Sequence, residues 1–115
     1  GVAHGHAVAL TLPHFIEFNG GVTEETLQDP RGFDYVIEMM RELNKLLGVE
    51  TSEQANQTVL KLMRDIQLET HLSHVGIKQK DFNTIVQNGF SPQRAKNNPR
   101  KVTTEDLRKL LEKIQ

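Results

Sequence analysis

The sequence predicts an all-α, multi-helix domain spanning residues 1–115. Three observations carry that prediction. Apolar residues recur at three- and four-residue steps in every periodic segment, the spacing that places side chains on one face of a helix. No segment alternates apolar and polar residues as a half-buried strand would. Capping residues stand ahead of the periodic segments at Thr51, Ser91, Thr103 and Thr104, and stop signals follow at Gly48 and Gly89.

The first helix is expected from near His4 to about Phe18. Its apolar residues Val8, Ala9, Leu10, Leu12, Phe15, Ile16 and Phe18 go nearly all the way round, which marks a buried helix. Pro13 cannot donate to the carbonyl of Ala9, so a kink or break is expected there. Asn19, Gly20 and Gly21 end the helix, and a polar loop leads to Pro30. In the second helix Phe33, Val36, Ile37, Met40, Leu43, Leu46 and Leu47 form the stripe, and Gly48 sits where a left-handed cap belongs. Thr51 and Gln54 make a capping box for a third helix, which is expected to run to about Glu69 with Ala55, Val59, Leu62, Met63 and Ile66 in one stripe. A shorter helix from about Gln79 to Gln87 presents Phe82, Ile85 and Val86. Ser91 and Pro92 open one brief turn. The last helix starts at Thr103 or Thr104, carries Glu105 and Asp106 in its first turn, and turns Leu107, Leu110, Leu111 and Ile114 inward.

Composition narrows the function. Fourteen basic against fifteen acidic residues leave a formal charge of -1, so no broad field draws nucleic acid or an anionic membrane. With no cysteine there is neither a disulfide nor a thiolate site, which suits the cytoplasm. Any metal must be held by histidine, carboxylate or water. The apolar stretch from Ala7 to Phe18 is broken by Thr11, Pro13, His14 and Glu17 and is too short to cross a bilayer. The chain opens at Gly1 without an initiator methionine and meets a dense apolar motif within a few residues, as a segment cut from a longer protein would. Removal of a tag or natural processing gives the same start.

No self-contained catalytic site is visible. On a helix His4 and His6 lie about 200° apart, because each residue turns about 100°, so both cannot reach one ion. His71 and His74 could face one way, but Leu72, Ser73 and Gly76 read as a helix end, where histidines complement the dipole. The acids Glu38, Glu42, Glu53, Asp65 and Glu69 fall on solvated faces. Gly20 and Gly21 follow no strand and make no phosphate loop.

The segment His4-Gly5-His6-Ala7-Val8-Ala9-Leu10-Thr11-Leu12-Pro13-His14, ending in Phe18-Asn19, resembles the histidine-glycine signature of iron-containing alcohol dehydrogenases. Asn98-Pro99-Arg100, followed by Val102-Thr103 and Glu105-Asp106-Leu107, resembles that family's chain terminus. The resemblance covers essentially the whole chain and implies the helical C-terminal domain of such an enzyme. It also implies an upstream nucleotide-binding α/β domain as partner and Fe2+, or sometimes Zn2+, in the cleft between. The metal is then held by one aspartate and three histidines, of which the last in chain order falls on His4. Polarisation of an alcohol oxygen by the metal would let hydride leave for NAD or NADP, interconverting an alcohol with an aldehyde or ketone.

On this reading Gly5 lets backbone or ligand come close to the metal, and Gly5 and His6 are candidates for the substrate cleft. His6 stands at a variable position where glycerol dehydrogenases and dehydroquinate synthases often carry glutamate, which argues against those two relatives; it either lines the pocket or packs. His14 is expected to be structural, and Asn98, Pro99 and Arg100 to form a turn and helix entry. The remaining ligands and the nucleotide loop would lie upstream of Gly1, so no cofactor-binding residue is assigned within the chain. A free-standing helical module that binds a partner protein is the competing reading. Helix one is expected to leave some of Ala7, Leu10, Thr11 and His14 uncovered, and so to self-associate through that strip or to fray before Pro13.

Overall fold

A computed structural model describes residues 1–115. Six helices follow in chain order: α1 (His4–Gly20), α2 (Phe33–Leu46), α3 (Ser52–Asp65), α4 (Phe82–Gly89), α5 (Pro92–Ala95) and α6 (Thr104–Ile114). Two 3₁₀ turns, Leu72–Val75 and Gln79–Asp81, link α3 to α4. The fold is all-α. Its one extended pairing is an isolated antiparallel bridge between Leu27 and Arg100. No helix is long and apolar enough to cross a membrane.

Local chemistry explains the ends of these helices. Thr51 accepts from the Gln54 amide while the Gln54 side chain returns to the Thr51 amide, satisfying two donors that the first turn of α3 leaves orphaned. Thr103 and Asp106 do the same for α6, which settles its cap on Thr103. Gly48 takes a φ of 73° just past α2, and the Val49 amide closes the turn on the Asn44 carbonyl.

Packing builds the core where α1, α4, α6 and the first 3₁₀ turn meet. Leu10, Leu72, Phe82, Leu111 and Ile114 form its centre, flanked by Val2, Val75, Ile77, Ile85 and Val86. Each fully buried side chain of this size stabilises the fold by roughly 1.5–3 kcal/mol relative to exposure. α1 and α3 run antiparallel: His6 meets the Glu69 carbonyl, His14 and Glu17 meet Asn56, and Gly20 abuts Ser52. A Cβ on Gly20 would collide with the Ser52 side chain, so this crossing requires glycine.

The structure corrects several expectations. Over its first three turns α1 is buried on one face only, because α3 and α6 cover that side; farther along, Phe15 and Phe18 on the other side are half-buried, Phe18 beneath Arg100. Leu10, Pro13, His14 and Ile16 are sealed while Val8 and Leu12 are exposed. The uncovered strip carries Ala7, as expected, together with Val8 and Leu12; Thr11 is half-buried, and neither Leu10 nor His14 belongs to it. α1 also runs unbroken through Pro13 to Gly20, so it neither breaks nor frays there. Pro13 is fully buried, and this packing holds the helix despite the missing donor.

α3 stops at Asp65, short of Glu69. Gln67 takes a left-handed φ of 62°, and the Leu68 amide closes on the Met63 carbonyl as a C-terminal cap. Leu62, inside α3, and Ile66, just past its end, are both exposed and fall outside the expected buried stripe. α2 is peripheral: of its apolar stripe only Val36 is buried, and Leu46 is largely exposed.

Candidate metal-binding site

His4 is the first residue of α1 and is exposed, with no hydrogen bond to its ring. A helix start gives a ligand a fixed position on a rigid axis while leaving the side chain at the edge of the fold. The donor set here is a single imidazole, and no cluster of three or more metal-ligating side chains forms anywhere in the structure. His4 thus fits one corner of a metal cage, the other ligands of which this chain does not supply. Gly5 follows in open space: a Cβ added there meets nothing within 4 Å. No contact inside the chain demands glycine at that position.

His6 points the other way. Its Nε2 donates to the Glu69 carbonyl at 2.8 Å, so the ring ties α1 to the segment after α3. The about 200° between His4 and His6 is realised as one ring outward and one inward. Beyond Glu69, His74 Nδ1 lies 3.0 Å from the Glu69 carboxylate, and the His71 and His74 rings lie 5.2 Å apart between centroids, tilted by 53°. These two histidines belong to a 3₁₀ turn rather than to the end of α3, with His71 at its N-cap. Side chains three apart on such a turn eclipse one another. The link from His6 through Glu69 to His74 depends on where α3 ends and carries no local signal.

His14 is buried, with its Nδ1 3.5 Å from the Asn56 amide nitrogen, which also donates to Glu17 at 2.6 Å. Burial pushes its pKa below the ordinary 6.5; Glu17 opposes that shift, while Lys113 and His71 add to it. A neutral, enclosed ring with local partners is structural.

The far end of α1 is clasped by the second motif. Arg100 Nη1 donates to the Phe18 carbonyl at 2.6 Å, and its guanidinium lies 3.9 Å over the Phe18 ring. Asn19 and Asn98 exchange amide hydrogen bonds at 3.0 and 2.8 Å. Gln28 donates from its side chain to the carbonyls of Ala95 and Asn98, each at 2.7 Å. Asn98, Pro99 and Arg100 therefore do more than turn the chain toward α6. They lock the C-terminal end of the helix that carries His4. The joint presence of Phe18-Asn19 and Asn98-Pro99-Arg100 was the available signal. An apolar hollow of about 230 Å³, lined in part by Phe15, Phe90, Val102 and Leu107, lies at this clasped end. Eleven residues of helix, about 16 Å, separate Phe15 from His4, so this hollow is not the expected cleft.

The histidine-glycine motif opening α1, and the Asn-Pro-Arg motif clasping its other end on an all-helical frame, define the class as the helical C-terminal domain of a dehydrogenase. The model of the Fe-containing alcohol dehydrogenase family, C-terminal, matches residues 1–115, and the chain belongs to that family. It is 29% identical over 105 residues to 1,3-propanediol dehydrogenase of Klebsiella pneumoniae, covering 90% of this chain and 26% of the relative. It is 28% identical over 112 residues to lactaldehyde reductase of Escherichia coli strain K12, with the same two shares. With NAD-dependent methanol dehydrogenase of Bacillus methanolicus it shares 22% identity over 111 residues, 94% of this chain and 27% of the relative. The chain spans about a quarter of the length of these relatives. No solved structure gives a significant match. These matches support an alcohol dehydrogenase domain.

Proposed function

We propose that this domain serves an NAD(P)-dependent, metal-dependent alcohol dehydrogenase that interconverts an alcohol with an aldehyde or ketone. His4 supplies one metal ligand and Gly5 borders the substrate cleft, while His6, a cleft candidate by its place in the motif, turns to the opposite side of α1 and packs. The observation that carries this reading is the exposed, unbonded imidazole of His4 at the first position of α1, inside the histidine-glycine motif. Ferrous iron or zinc, when bound, supplies Lewis-acid polarisation of the alcohol oxygen, and NAD or NADP accepts the hydride. The chain's own residues do the positioning. α1 fixes His4 on a rigid axis clamped at its far end by Arg100 and Asn98. Gly5 leaves room beside the ligand. His6, with Nε2 committed to Glu69, holds the 69–75 segment against the first turn of α1 and so steadies the turn that carries His4.

The nucleotide site and the remaining ligands belong to an upstream domain, which is this domain's partner. The 115-residue chain alone provides one imidazole at this site, too few ligands for a catalytic metal. It is expected to give no alcohol-dependent reduction of NAD or NADP, even with added ferrous or zinc ion. The chain alone is also expected to self-associate at high concentration through the open face of α1. In the full polypeptide that the gene encodes, turnover is expected, and His4→Ala is expected to abolish it while leaving helical content unchanged. Undiminished turnover in His4→Ala would remove the assignment.

A further inference from the structure

α2 is amphipathic but only partly seated on the domain. Val36 and Asn44 face inward, while Tyr35 (37%), Met39 (39%) and Leu46 (84%) stand exposed. At about 100° per residue these three fall within about 40° of one another, and Glu42 completes the same stripe. Positions 35, 39, 42 and 46 advance by four, three and four residues, the spacing of a seam between two helices. Tyr35 is already held for contact. The Asp29 carboxylate accepts from Arg31 Nε and Nη2 at 3.0 and 2.8 Å, and Arg31 donates from Nη1 to the Tyr35 hydroxyl while lying 4.3 Å over its ring. An aromatic ring fixed in this way loses little freedom on binding.

The charges beside the seam decide what fits it. Glu38 and Lys45 stand one heptad apart on the same flank, and both are exposed. Glu38 makes only a 3.8 Å contact with Arg41, and Lys45 has no ion-pair partner. Against a second copy of α2 running antiparallel, Glu38 meets Lys45 of the copy and Lys45 meets its Glu38. A parallel copy would set Glu38 beside Leu43 instead. In the antiparallel register Leu46 packs on Tyr35 of the copy, and Met39 on the methylenes of its Glu42.

We propose that this face of α2 is an interface between two copies of the polypeptide, paired antiparallel about a two-fold axis that crosses the middle of the helix. Symmetry uses each contact twice. Apolar burial supplies the attraction, and the Glu38–Lys45 pairs select the orientation. Glu42 carries charge into the seam and limits the strength of the pairing. The interface is distinct from the open side of α1 and does not depend on His4 being a ligand.

The test uses the full polypeptide that the gene encodes, with sedimentation followed over a range of concentrations. Wild type is expected to associate, and Leu46→Glu to raise the dissociation constant at least about tenfold. Lys45→Glu brings like charges together at both symmetric places and is expected to raise it about fivefold. Glu38→Lys combined with Lys45→Glu restores opposite charges and is expected to return it to within about twofold of wild type. A zero-length carbodiimide, applied to an equal mixture of unlabelled and isotope-labelled protein, is expected to join Glu38 to Lys45 in peptides of mixed isotope content. A monomeric wild type, a dissociation constant unmoved by Leu46→Glu, or a charge-swapped double variant no tighter than Lys45→Glu would each overturn the proposal. Where other contacts hold the copies too tightly to dissociate, the crosslink decides, and its absence would overturn the proposal as well.

Discussion

On the inner face of α1, Leu10, Pro13 and Ile16 are sealed against α3, α6 and the central cluster, and even the polar His14 is enclosed. On the outer face, His4 stands without a hydrogen bond and Val8 and Leu12 remain open. One helix thus has a finished side and an unfinished side. The difference teaches that apolar content alone does not say what will cover a helix. The residues around α1 are apolar nearly throughout, yet over its first three turns this chain supplies cover for only one face. The second face carries His4, the imidazole proposed as a metal ligand.

The sharpest way to break the comparison is to shorten a side chain on the finished side. Leu10→Ala in the 115-residue chain is expected to cost about 2–5 kcal/mol, read from urea unfolding, because it empties space beside Leu72, Phe82 and Ile114. A loss below about 0.5 kcal/mol would mean the inner face is no better packed than the outer.

Next in size is the clasp. Arg100→Ala removes the donor to the Phe18 carbonyl and the cation over the Phe18 ring, and is expected to cost about 1–3 kcal/mol in the same assay. Thermal melts should show Arg100→Lys recovering only part of it, because lysine lacks the planar fork.

A smaller effect concerns pH. Unfolded, the His14 ring titrates near its ordinary 6.5; folded, burial holds its pKa below that value. Between the two values the unfolded chain binds more protons. The contribution of His14 is therefore full above 6.5, falls as pH drops through that window, and flattens below the folded value. His14→Asn is expected to lessen the dependence of stability on pH in that window. An unchanged slope in denaturation curves across the range would show the ring to be freely solvated.

The smallest change belongs to the open side. Leu12→Gln is expected to alter the stability of the 115-residue chain by no more than about 0.5 kcal/mol. A loss as large as that of Leu10→Ala would show that the chain covers this face by itself.

Much of the fold was legible in the sequence because it rests on short-range chemistry. The Thr51–Gln54 box, the left-handed Gly48, the Ser91–Pro92 turn and the apolar spacing of the last helix are local signals, and each formed where expected. Other features depend on tertiary packing and could not be read. Pro13 marked a break that the buried environment overrode, and Gln67 took a left-handed position that ordinarily favours glycine or asparagine, ending α3 early. At the candidate site the position of His4 was legible from a motif of adjacent residues. The inward bond of His6 was not, because its partner lies 63 residues away, just beyond the point where α3 ends early.

The central claim is that the unfinished face presents a metal ligand, and metal content tests it most directly. The full polypeptide that the gene encodes would be purified, dialysed against a mild chelator, and assayed for iron and zinc alongside His4→Ala and His74→Ala. The account predicts that wild type and His74→Ala retain the metal and that His4→Ala loses it. Equal retention by His4→Ala and wild type would contradict the claim.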